Sequence, residues 1–136
     1  MARVTLRASS CKWRHLLKYP VSKKIFIIGT GRSGTHWVAR TLAEHREIRA
    51  TIEVKSAFDW VTRMALDPAT RKRLFPRLVR YYRYQHFISV PCHYMDKSHP
   101  NIWLADQLAE TFSDAVFIGM QRNPYATVAS MLIGGC

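Results

Sequence analysis

Apolar residues fall in two rhythms along this chain. At 24–29 (KIFIIG) aliphatic and aromatic residues run almost unbroken into a glycine, the pattern of a strand buried on both faces. AVFIGM at 115–120 has the same character and predicts another buried strand; RATIEV at 49–54 and CHYMDK at 92–97 are further strand candidates. Between them the period lengthens to that of a helix. THWVARTLAEH sets Trp37, Val38, Thr41, Leu42 and His45 on one face, and AFDWVTRMAL at 57–66 aligns Phe58, Val61 and Ala65. Asp67-Pro68 is a helix-start signal, Asp as cap and Pro at the first position. The helix that follows carries Leu74, Leu78 and Tyr82 at intervals of four, with a kink or interruption predicted at Pro76. Ser98 caps a helix with Leu104, Leu108 and Phe112 in register, and Pro124 opens a last one that includes Val128 and Leu132. Strands alternating with helices, with no internal repeat, predict an α/β fold built on a central parallel sheet.

Composition narrows this picture. A chain of 136 residues allows one domain, and 48% apolar residues supply a core, which excludes a disordered polycation. The chain holds 21 basic against 9 acidic residues, net +12, and the excess is uneven. Residues 1–24 carry seven basic and no acidic side chains; 63–86 carry seven against one. We therefore divide the chain into a basic arm, 1–23, and an α/β domain, 24–136. The longest apolar run, 25–28, is strand-sized, and the basic start lacks an apolar core segment, so neither a membrane span nor a signal peptide is expected. Three cysteines, Cys11, Cys92 and Cys136, lack metal-ligand spacing and favour reduced thiols in a cytoplasmic setting.

The chemistry begins at GTGRSGTHW, residues 29–37, which follows the first strand and opens a helix. Such a turn clears side chains away, so backbone N–H groups and the helix N-terminus face an anion. Gly29 and Gly34 have the spacing of a Walker loop, but Thr35 stands where the phosphate lysine belongs and His36 where the magnesium hydroxyl belongs. The turn suits phosphate without the usual equipment for Mg-ATP hydrolysis.

RSGTHW at 32–37 resembles the 5′-phosphosulfate loop of sulfotransferases that use 3′-phosphoadenylyl sulfate (PAPS). QRNPYATVAS, with Arg122 and Ser130 eight positions apart, is similar to the family's 3′-phosphate motif. DKSHPN at 96–101 resembles a D-K-[ST]-P segment of some branches, with His99 inserted. The resemblance implies a P-loop-like three-layer fold, incomplete at its C-terminus, and sulfuryl transfer from PAPS, without a metal, to a hydroxyl or amine of a carbohydrate, lipid or other small acceptor. By the same resemblance Arg32, Ser33, Gly34, Thr35, His36 and Trp37 would form the phosphosulfate side of the donor site, and Arg122 and Ser130 the 3′-phosphate side. His36 replaces a hydroxyl residue of the common pattern.

Sulfuryl transfer needs in-line positioning, charge on the bridging oxygen and removal of the acceptor's proton. Arg32 would act electrostatically, because a guanidinium does not readily give up its proton. Lys97, at a strand's carboxyl end, would reach the phosphosulfate; the plainer reading pairs it with Asp96 at the surface. Glu53 is the first candidate base, provided burial raises its pKa toward neutrality, and His99 is its competitor. The Arg-rich segment 63–86 would meet an anionic acceptor or surface, or would be a solvated helix face. A sheet lacking its remaining strands would expose apolar surface and invite self-association. Three other readings stand beside this one: a non-catalytic nucleotide-binding fragment, a P-loop kinase or NTPase, and a basic nucleic-acid-binding protein.

Overall fold

The computed structural model describes residues 21–134, so most of the basic arm, with Cys11 and Cys136, lies outside the described residues. The elements run β1 (Lys24–Gly29), α1 (Thr35–Ala43), β2 (Ile48–Ile52), α2 (Lys55–Leu66), a 3-10 turn (Pro68–Thr70), α3 (Arg71–Ser89), β3 (His93–Lys97), a second 3-10 segment (His99–Leu104), α4 (Ala105–Thr111), β4 (Val116–Met120) and α5 (Pro124–Ile133). All four strands are parallel, in the order β2-β3-β1-β4.

Alternation along the strands divides the core into two layers. Phe26 and Tyr94 point to one side and meet Val61, Met64, Leu74, Leu78, Tyr82, Leu104, Leu108 and Phe112. Ile27 and Met95 point to the other and meet Ala39 of α1. The sheet is thus the middle of three layers, as expected for a P-loop-like fold. Phe26 centres an aromatic cluster, with ring centroids 5.0 Å from Tyr82, 5.4 Å from Phe117 and 5.9 Å from Phe112. Burying such a side chain contributes roughly 2–3 kcal/mol.

Five details depart from the sequence reading, the first being that the helix expected from Ser98 to Phe112 is a 3-10 segment followed by α4, with no cap from the Ser98 side chain. β4 is an edge strand, not a buried one: among the described residues it pairs only with β1, and Val116 is 44% exposed. In α1 the packed face is Thr35 and Ala39, with Val38 and Leu42 partly covered, whereas Trp37 turns outward. Trp37, two positions from both Thr35 and Ala39, falls on the opposite side of the helix and so faces away from the sheet. α3 runs unbroken through Pro76, which sits on the exposed side in the second turn, so the Lys72 carbonyl it leaves without an N–H donor faces water. Asp67 does cap, its Oδ1 accepting from Ala69 N at 3.0 Å, but the element it starts is the 3-10 turn that feeds α3.

Cys92 is disulfide-bonded, which corrects the expectation of reduced thiols, since an odd count still leaves room for one pair. A disulfide gives no support to a cytoplasmic setting. Among the described residues no helix is long and apolar enough to cross a membrane. Val128, Leu132 and Ile133 of α5 are all more than half exposed.

Candidate active site

The carboxyl ends of β1, β2 and β3, the loop before α1, and the segment from β4 into α5 surround a cleft of about 500 Å³. Its walls carry Gly31, Arg32, Gly34, Thr35, His36, Trp37, Glu53, Lys97, His99, Arg122 and Ser130. Every residue singled out from the sequence is among them except Ser33, and Gly31 is the one addition.

The loop owes its shape to contacts only glycine permits. A Cβ on Gly29 would stand 2.9 Å from Ser33 Oγ and Thr35 Cγ2 and 3.0 Å from the Met120 carbonyl. Gly34 has φ 96°, in the left-handed region that disfavours side chains. Ser33 turns inward, its Oγ donating to the Thr30 carbonyl at 2.6 Å, so its hydroxyl closes the loop from below instead of facing the cleft. No side chain caps the start of α1. Its first-turn N–H groups and dipole therefore remain available to an anion.

Arg32, itself at φ 64°, joins the two motifs. Its Nε donates to Ser130 Oγ at 3.1 Å, and its carbonyl accepts from Arg122 Nη1 at 3.0 Å. The guanidinium expected at the phosphosulfate end thus lies against the residue expected at the 3′-phosphate end. Asn123 orders the start of α5 by accepting from the backbone N–H groups of Tyr125 and Ala126, at 2.9 and 3.2 Å.

At the other end of the cleft Lys97, 3% exposed, pairs with Glu53 and not with Asp96. Successive strand residues face opposite ways, so Asp96 lies under the sheet, fully buried. It accepts there from Thr51 Oγ1 (2.8 Å), Tyr82 OH (3.1 Å) and Asn101 Nδ2 (3.0 Å). Burial pushes its carboxyl up to about 6 despite those bonds. Glu53, at φ 49°, is tied to β3 by its N–H, which donates to the Lys97 carbonyl at 2.8 Å. Its Oε1 also meets His99 Nδ1 at 3.2 Å. Burial pushes Glu53 upward, but its bonds to Lys97 and His99 and their charge outweigh that and hold the carboxyl below the ordinary range. The raised pKa expected of a catalytic Glu53 is not found: the carboxylate has two partners that favour its charged form.

The His99 ring is steadied by the edge of Phe58, centroids 5.1 Å apart. The sequence aligns Phe58 with Val61 and Ala65 on one helical stripe; nothing local marks it as a neighbour of His99, 41 positions on. His36 lies nearby, its imidazole held below the ordinary histidine range by burial and by Lys97 and Arg40, with Glu53 opposing. Among the described residues no group of three His, Cys, Asp or Glu side chains gathers that could hold a metal ion. Arg32, Lys97 and Arg122 against the single carboxylate of Glu53 leave the cleft lining with an excess of basic side chains, which favours an anion.

No curated protein matches this chain. A family model does, and it covers the whole of the sheet and the cleft: by its match over residues 24–134, this chain belongs to the sulfotransferase family.

Proposed function

We propose that the chain transfers a sulfuryl group from PAPS to a hydroxyl or amine of a carbohydrate, lipid or other small acceptor. One observation carries this reading: a phosphate-type loop, a basic pair and a Glu–Lys–His cluster, far apart in sequence, line a single cleft of about 500 Å³. The backbone N–H groups of Gly34, Thr35 and His36 would receive the phosphosulfate. Arg122 and Ser130 would receive the 3′-phosphate. Arg32 and Lys97 bring positive charge to the bridging oxygen, where the leaving phosphate gathers its electrons. A metal has no part in this reading, because Thr35 and His36 replace the lysine and hydroxyl of a magnesium-dependent loop.

The base we assign is His99. Glu53 engages its Nδ1 at 3.2 Å, which leaves Nε2 for the acceptor. Glu53 itself is a poor proton acceptor, since Lys97 occupies the same oxygen. As the acceptor oxygen bonds to sulfur, the sulfur–oxygen bond to the phosphate breaks. The electron pair leaves with adenosine 3′,5′-bisphosphate, and the acceptor's proton passes to His99. Incubation with PAPS carrying radioactive sulfur and a panel of sugar, lipid and phenol acceptors tests this. Label moving to an acceptor, and lost about 100-fold or more in His99→Ala, is the expected result. Transfer that survives in His99→Ala, or a panel in which no acceptor is labelled, contradicts it.

A further inference from the structure

The Arg-rich helix presents a surface that the cleft does not use. At 3.6 residues per turn, Arg73, Arg77, Arg80, Tyr84 and Phe87 follow one line along α3, flanked by Lys72 and Arg83, opposite the buried Leu74, Leu78 and Tyr82. No residue of α3 is acidic. Arg73, Arg80 and Arg83 are exposed and form no ion pair among the described residues, while Arg77 leans on the Trp60 ring at 6.0 Å. Like charges three and four apart repel, so this stripe is held without an internal counter-charge.

The lower end of the stripe is apolar. Phe87 is 76% exposed and Val90 55%; Val21, 77% exposed, lies at the same end of α3, since its neighbour Ser22 bonds His86 Nε2 (3.0 Å) and the Cys92 carbonyl (2.6 Å) through Oγ. Phe87 thus places an exposed apolar ring at the end of the row of arginines. α3 ends just before β3 begins, so this end lies at the amino edge of the sheet, whereas the cleft lies at the carboxyl edge.

We propose that the outer face of α3 docks the protein on an anionic lipid surface. The arginines meet headgroup phosphates and carboxylates. Phe87, Val90 and Val21 enter the boundary between headgroups and acyl chains. A nucleic acid or anionic glycan would engage the charges but would leave the aliphatic residues without a role, which is why lipid is the better fit. Docking by this edge leaves the cleft open to water.

Co-sedimentation of the full chain with vesicles of phosphatidylcholine alone, or with about a third phosphatidylserine, tests the proposal. Binding is expected only with phosphatidylserine. Each arginine near such a surface contributes about fivefold in affinity, so R73Q/R80Q/R83Q is expected to bind about 100-fold more weakly. F87S/V90S is expected to weaken vesicle binding about tenfold and to leave binding to heparin or duplex DNA unchanged. All five positions are exposed, and circular dichroism checks that each variant is folded. The proposal is overturned by equal binding to neutral vesicles, by no vesicle binding, or by full binding in the triple variant, which would assign it to other basic residues. F87S/V90S without effect on vesicles, with tighter binding to DNA or heparin, would replace lipid by a polyanion in solution.

Discussion

Oε1 of Glu53 accepts from both Lys97 Nζ and His99 Nδ1, so that one carboxylate oxygen at the end of β2 holds together two side chains from the end of β3 and the turn beyond. This arrangement favours the charged form of Glu53 and orients the His99 ring beside it.

Glu53→Gln leaves the nearly buried Lys97 ammonium without its counter-charge. The expected loss is about 1–3 kcal/mol, reduced by the partial exposure of Glu53. Lys97→Met, which removes the buried charge itself, is expected to cost less. Urea unfolding of the two variants measures the order; equal or reversed losses would contradict the ion-pair account.

The buried Asp96 gives stability an unusual pH dependence. Its carboxyl sits near 6 in the folded protein against 3.8 ordinarily, so the folded state retains a proton that the unfolded chain has released between those values. Its contribution is therefore full below about pH 4 and lost as pH rises through 6. Glu53 has the opposite sign: its carboxyl is lowered from 4.5, so its contribution is present above that value and lost as pH falls through the lower folded one. Unfolding free energies of wild type and Asp96→Asn, compared from about pH 4 to 7, are expected to diverge against wild type by on the order of 2–3 kcal/mol. A constant difference would show that Asp96 keeps an ordinary carboxyl.

Much of this was legible because it is local. The run into Gly29, the loop spacing and the Arg122/Ser130 separation are features of neighbouring residues, and the structure brings the strand end, the loop and that pair to one cleft. What escaped depends on contacts across the chain. The inward turn of Ser33 follows from the Thr30 carbonyl, and the exposure of Trp37 from the sheet taking the Thr35–Ala39 side of α1. Pro76 is tolerated because its turn faces solvent. The low pKa of Glu53 comes from partners 44 and 46 positions away, which no periodicity records.

Gly29→Ala and Gly34→Ala are expected to separate space from conformation. At Gly29 the methyl meets backbone and two short side chains at 2.9–3.0 Å, so the loop must shift; the expected cost is more than about 2 kcal/mol. At Gly34 the nearest atom is 4.0 Å away and only the positive φ opposes, for about 1 kcal/mol. Thermal unfolding checks the ranking, and a milder effect at Gly29 would contradict the loop's packing.

Phe26→Ala removes the centre of the aromatic cluster and is expected to cost about 3–5 kcal/mol. A substitution on the outer side of α1, Trp37→Ala, is expected to cost well under half of that, because Trp37 is 72% exposed. Chemical denaturation of both compares the two faces directly.

The proposed function requires the cleft to read a nucleotide with phosphates at both the 3′ and 5′ positions. Calorimetric titration of adenosine 3′,5′-bisphosphate, AMP and Mg-ATP into wild type and Arg122→Ala tests it most directly. Binding of the bisphosphate without magnesium is expected, at least tenfold tighter than AMP, with that preference lost in Arg122→Ala. Equal affinity for AMP, preference for Mg-ATP, or a preference unchanged in the variant would contradict it.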